Sequence, residues 1–148
     1  MTILALDLGT QTGWAVLCGS GSIISGSTSF KTKRHDGGGM KYLTFRRWLD
    51  SEFKGEVSEV YFEEVRMHAG TQAAHVYGGL MGTLTAWCEE NSIPYASVPV
   101  GTIKKSATGK GNASKEQMIN AAILHGFNVA DDDQADAIHL LRYVTERP

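Results

Sequence analysis

Thr2 to Leu8 opens the chain as an apolar, partly β-branched run broken by a single charge, Asp7. Such a run reads as a strand covered on both faces. Its aspartate is the exception, because a buried carboxylate costs several kcal/mol unless donors or a cation compensate it. The turn Gly9-Thr10-Gln11-Thr12-Gly13 follows, its glycines read as positions free to take positive φ and its polar side chains as local hydrogen-bonding groups. Asp7 is then either a turn-capping residue at a strand end or a metal-binding carboxylate on a rigid strand. Trp14 to Cys18 reads as the returning strand of a hairpin, and Ser22 to Phe30 as a third, antiparallel strand.

The pattern then changes period. Lys31 to Gly39, with three consecutive glycines, predicts a loop. Tyr42, Phe45, Leu49 and Phe53 keep helical spacing across Met40 to Phe53, with Arg46, Arg47 and Asp50 on the other side and Gly55 as the stop. Glu59 to Val65 is the next strand, again acidic toward its C-terminal end. Thr71 to Asn91 predicts a long helix carrying Ala73, Ala74, Gly78, Gly79 and Gly82. Glycine inside a helix costs about 1 kcal/mol against alanine, so these small positions imply close approach by the sheet beneath or by a second subunit. Tyr95 to Val98 is a last strand, Val100 to Ala107 a short helix and Thr108 to Asn112 a basic loop. Ser114 and Gln117 match a capping box for a helix over Lys115 to His125, and Asp131 to Tyr143 is the C-terminal helix. The order β-β-β-α-β-α-β-α-α-α predicts an α/β fold, a mixed five-stranded sheet with helices on both faces, with residues 1–148 as one domain.

Composition narrows the function. No apolar stretch approaches the span of a bilayer, and Asp7 interrupts the N-terminal run too early for a signal peptide. Cys18 and Cys88 then read as free thiols of a cytoplasmic protein, without the spacing of a zinc site. The net charge of −2 hides an uneven distribution. Lys31, Lys33, Arg34, Lys41, Arg46 and Arg47 cluster, as do Lys104, Lys105, Lys110 and Lys115, while acids gather at Glu63-Glu64 and over Asp131 to Asp136. Basic rims around an acidic centre suit a metal-dependent phosphodiesterase.

Asp133 and Asp136 lie three apart and share a helix face, as Asp132 and Asp136 could at four apart. If Asp7 and Glu63 approach from neighbouring strands, four carboxylates meet, and two unit charges about 4 Å apart cost about 4 kcal/mol at an effective dielectric of 20. Divalent cations would remove that cost, and hard oxygen ligands suit Mg²⁺ or Mn²⁺. Helix N-terminal charge alone accounts for Asp131 but does not require an acid at Asp136. His139, one turn on, either faces the metals or packs. His75 and Tyr77 read as structural, and Trp14, Trp48 and Trp87 as core aromatics.

These motifs together resemble a RuvC-type Holliday junction resolvase of the RNase H-like superfamily, over nearly the whole chain. Leu6-Asp7-Leu8-Gly9 resembles its opening motif and Tyr61-Phe62-Glu63-Glu64-Val65 its second, with the catalytic role on Glu63. Lys104 to Lys115 resembles its basic stretch, and Asp133-Gln134-Ala135-Asp136-Ala137 its C-terminal motif. The resemblance implies an RNase H-like sheet, catalysis by Asp7, Glu63, Asp133 and Asp136 with two Mg²⁺ ions, for which Mn²⁺ substitutes, and a homodimer acting on branched DNA. Lys104, Lys110, Lys115 and Arg34 are the expected phosphate contacts. The short loops look like a phage-type version, working in a bacterial cell or an infected host. Where bacterial members carry a base-stacking aromatic after the glutamate motif, this chain has Arg66-Met67-His68, and Arg66 can stack or bind phosphate.

Three rivals share parts of this pattern. Asp7-Leu8-Gly9-Thr10 also resembles the phosphate turn of actin-like ATPases and sugar kinases, which need two such domains. A related nuclease of flaps, forks or RNA–DNA hybrids would use the same acids. A non-catalytic junction-binding protein would not need the full set.

Overall fold

The computed structural model describes residues 2–146. Ten elements follow in the expected order: β1 (Ile3–Asp7), β2 (Gln11–Leu17), β3 (Ile23–Ser29), α1 (Met40–Phe53), β4 (Glu59–Glu64), α2 (Thr71–Glu90), β5 (Tyr95–Pro99), α3 (Val100–Thr108), α4 (Lys115–Leu124) and α5 (Asp132–Glu146). The sheet runs β3-β2-β1-β4-β5. Short links make β1, β2 and β3 antiparallel, whereas the helical crossovers through α1 and α2 make β1, β4 and β5 parallel.

Side-chain alternation sorts the strands between two cores. Leu4, Leu6, Val16, Val60 and Phe62 point to the layer of α1 and α2, among Phe45, Leu49, Leu80, Leu84 and the fully buried Trp87. Ala5, Ala15 and Val98 point the other way, to Ile103 of α3, Met118 of α4, and Ala137, Ile138 and Leu141 of α5. Trp14 and Trp48 are half-buried at the edge of the first core rather than inside it. The small residues beneath α5 let that helix lie close to the sheet.

The link after β1 is shorter than its composition suggests. β2 begins at Gln11, so Thr12 and Gly13 are strand residues, and Thr12 Oγ1 donates to the Gly9 carbonyl (2.7 Å) to close the link. Neither Gly9 nor Gly13 takes positive φ; the glycines that do are Gly21, Gly55, Gly109 and Gly126. Gly13 serves close approach instead: a Cβ there would overlap the backbone carbonyl of Asp133 at the start of α5. In α2, Gly79 makes room for the Tyr42 ring of α1, while Gly78 and Gly82 face open space. Both halves of the Ser114–Gln117 capping box form. His139 packs: its Nε2 lies 2.8 Å from the Met118 carbonyl, in the layer between α4 and α5.

Candidate acidic centre

Period two places Asp7 on the face of Ala5, toward α5. The parallel register pairs Ala5 with Tyr61 and Leu6 with Phe62, so one step further on each strand sets Asp7 beside Glu63. Gly13 is the antiparallel partner of Asp7, and the start of α5 rests on it. Asp136, on the second turn of α5, therefore comes down over the ends of β1 and β4. Carboxylate oxygens of Asp7, Glu63 and Asp136 all lie within 4.8 Å of one another. Asp133 stands beside this group, close enough to Asp7 to share a hydrogen bond and raise its pKa. Asp132, the other acid sharing a face with Asp136, turns to Lys115, 3.7 Å away.

The charges are poorly compensated by the protein itself. Burial, then the Glu63 charge, pushes Asp7 well above the ordinary carboxylate range. Burial also raises Glu63, against the opposing pull of Asp7's hydrogen bond and the nearby Lys104. Asp136 is raised to about 8, by burial first and then by Glu63. Asp133 is raised to about 6, by burial and Asp132. Asp136 Oδ1 is buried with no hydrogen-bond partner. A buried carboxylate oxygen among other carboxylates, with no protein donor, fits the role of a cation ligand. All donors are hard oxygens, which fits Mg²⁺ or Mn²⁺.

The basic candidates divide by place. Lys104 lies near enough to Glu63 and Asp136 to lower both, at the rim of the centre. Lys115 flanks it through Asp132. Lys110 is exposed in the loop after α3, Arg34 is exposed in the 31–39 loop, and Arg66 is exposed just past β4 with Glu64 at 3.5 Å. Residues 10 and 30 tie the base of the 31–39 loop to the acidic end of the sheet, since the Phe30 amide donates to the Thr10 carbonyl.

Four supporting residues were not legible as such. Lys41 Nζ donates to Thr10 Oγ1 (2.6 Å) and so stands at the link that follows Asp7. Tyr77, read as structural, is so in a specific way: its hydroxyl donates to the Glu63 carbonyl (2.7 Å), fixing the end of β4. Asp131 and Gln134 bond across to β3. Only Tyr77 carried a signal, a tyrosine on the core face of an apolar helix, where its hydroxyl must find a partner.

At the level of sequence, no family model and no curated protein matches the chain. Among solved structures it is similar to Thermus thermophilus RuvC in complex with a Holliday junction substrate, with a TM-score of 0.75 at 20% identity, over 95% of this chain and 90% of that one. A second Thermus thermophilus RuvC structure matches with a TM-score of 0.71 at 21% identity, over the same shares. The chain thus has the RuvC-type, RNase H-like fold over nearly its whole length.

Proposed function

We propose that residues 1–148 form one nuclease domain that resolves four-way DNA junctions by metal-dependent phosphodiester hydrolysis, as a homodimer nicking two strands of like polarity. The observation that carries this reading is the convergence of Asp7, Glu63 and Asp136 within 4.8 Å on a RuvC-type fold. Asp7, Glu63, Asp133 and Asp136 would hold the cations, two per centre. Bound there, Mg²⁺ or Mn²⁺ would supply an activated water and stabilise the leaving 3′ oxygen.

The chain's own residues do the rest. The strand ends hold Asp7 and Glu63 rigidly, and Tyr77 anchors the second of them. Lys104, near Glu63 and Asp136, would meet a phosphate over the acids, and Lys110, Lys115, Arg66 and Arg34 would extend the contact along the DNA backbone. That is the division of labour expected when basic side chains position a nucleic acid. The open face of α2, with exposed His75, Gly78, Gly82 and Ala86, is the proposed contact between protomers. No helix among the described residues is long and apolar enough to cross a membrane. Such an enzyme would work in the cytoplasm of a bacterium or an infected host.

Cleavage of a mobile four-way junction, a fork, a flap and an RNA–DNA hybrid, each with Mg²⁺ or Mn²⁺, tests the reading. Paired symmetric nicks in the junction are expected, with Asp7→Asn binding the junction but not cutting it. Hybrid-only or flap-only cutting would instead assign the related-nuclease activity. Binding with no hydrolysis under any cation would leave a junction-binding protein.

A further inference from the structure

The start of α5 presents two faces at once. Asp136 turns to Asp7 and Glu63 at the ends of β1 and β4, with Asp133 beside Asp7, whereas Asp131 and Gln134, three apart, turn to the edge strand β3. Asp131 Oδ2 accepts from Ser27 Oγ (2.7 Å) and from Gln11 Nε2 (2.7 Å), while its Oδ1 accepts the Gln134 amide (2.8 Å). Gln134, a buried residue, donates from Nε2 to Ser25 Oγ (3.0 Å) and accepts the Ala130 amide on Oε1 (2.8 Å). Ser25 and Ser27 are partners of Ala15 and Gly13 in the β2–β3 ladder, on the α5 face of the sheet.

Between the two faces lies Gly13, where helix backbone meets strand backbone with no side chain to interlock them. Repulsion among the acids would tip the first turn of α5 about it, away from β1 and β4. We infer that Asp131 and Gln134 are positioning residues: by clamping α5 to Ser25 and Ser27 of β3 they set how tightly the acidic centre holds a divalent cation. The inference rests on the metal-dependent reading above. It assigns no metal contact to Asp131 or Gln134; they act through Asp133 and Asp136.

The test is Mn²⁺ affinity, read from the electron paramagnetic resonance of the free ion, with urea unfolding in EDTA run on the same proteins. Ser25→Ala and Ser27→Ala are each expected to weaken Mn²⁺ binding by about tenfold, the size seen when groups that orient metal ligands are lost. Ser27→Thr keeps the hydroxyl and is expected to bind nearly as the wild type does. Thr28→Ala removes a hydroxyl from the opposite face of the same strand, beside Trp14 and Val16, and is expected to leave affinity unchanged. Should Ser25→Ala not fold, Gln11→Ala cuts the exposed end of the same network and is expected to weaken binding in the same direction. Wild-type affinity in the serine-to-alanine variants would overturn the inference, as would an equal loss in Thr28→Ala. A wild type that binds no Mn²⁺ overturns the metal reading itself, and is distinguishable because no variant then differs.

Discussion

Removing the cation should make the stability of this protein fall as pH rises. Asp136 titrates at about 8 in the folded chain against an ordinary 3.8. Between those values the folded state holds a proton that the unfolded state has lost, so stability is greatest below about 3.8 and declines until the folded group ionises. The slope is about 1.4 kcal/mol per pH unit for one proton. From pH 5.5 to 7.5, Asp136 then removes about 2–3 kcal/mol, and Asp133, at about 6, on the order of 1 kcal/mol more. Asp7 and Glu63 act in the same sense, being raised by the same burial. His139 opposes them at the acid end, since burial lowers its pKa and the unfolded chain takes up its proton first. Comparison with Asp136→Asn cancels that contribution and leaves Asp136 together with the push its charge gives Asp7. Thermal unfolding in EDTA at both pH values should therefore show the wild type losing about 2–3 kcal/mol more than Asp136→Asn, about 5–10 °C for a chain of this size. Mg²⁺ at a hundred times its Kd should return about 2.7 kcal/mol to the wild type at pH 7.5 and much less to the variant. Equal pH dependence in the two proteins would refute the reasoning, because it would mean that Asp136 ionises freely where it stands.

Gly13→Ala should cost about 1–3 kcal/mol in urea unfolding and weaken Mn²⁺ binding, since its Cβ would displace the backbone of α5 at Asp133. Lys104→Ala and Lys115→Ala should each reduce the slope of log junction affinity against log salt by about one, and an unchanged slope would return them to solvated surface. Gly82→Arg faces open space, so the monomer should lose no thermal stability, while sedimentation should show the proposed dimer replaced by monomer. A variant that stays dimeric would place the subunit contact elsewhere.

The elements were legible because each carries its own period. Tyr42, Phe45, Leu49 and Phe53 announce α1 to the residue, and Ser114 with Gln117 announces the start of α4. Pairing of Asp7 with Glu63 was legible at one remove, since adjacent parallel strands in register bring equivalent positions together. What periodicity cannot express is which element lies on a given face. Gly13 in the sequence is a glycine after a turn; only the path of α5 across the sheet makes it a contact surface, just as the packing of α1 on α2 gives Gly79 the Tyr42 ring and leaves Gly78 open space. Asp131 shows the limit most clearly. As a string, Asp131-Asp132-Asp133 is helix N-terminal charge, and the Gln134 amide does accept that reading, for it donates to Asp131 Oδ1. Yet the second oxygen of the same carboxylate is bonded to residues 11 and 27, more than a hundred positions away, and Asp132 turns to a lysine of another helix. Three consecutive aspartates thus take three different partners because a helix start directs successive side chains about 100° apart, onto whatever three surfaces the fold has brought there.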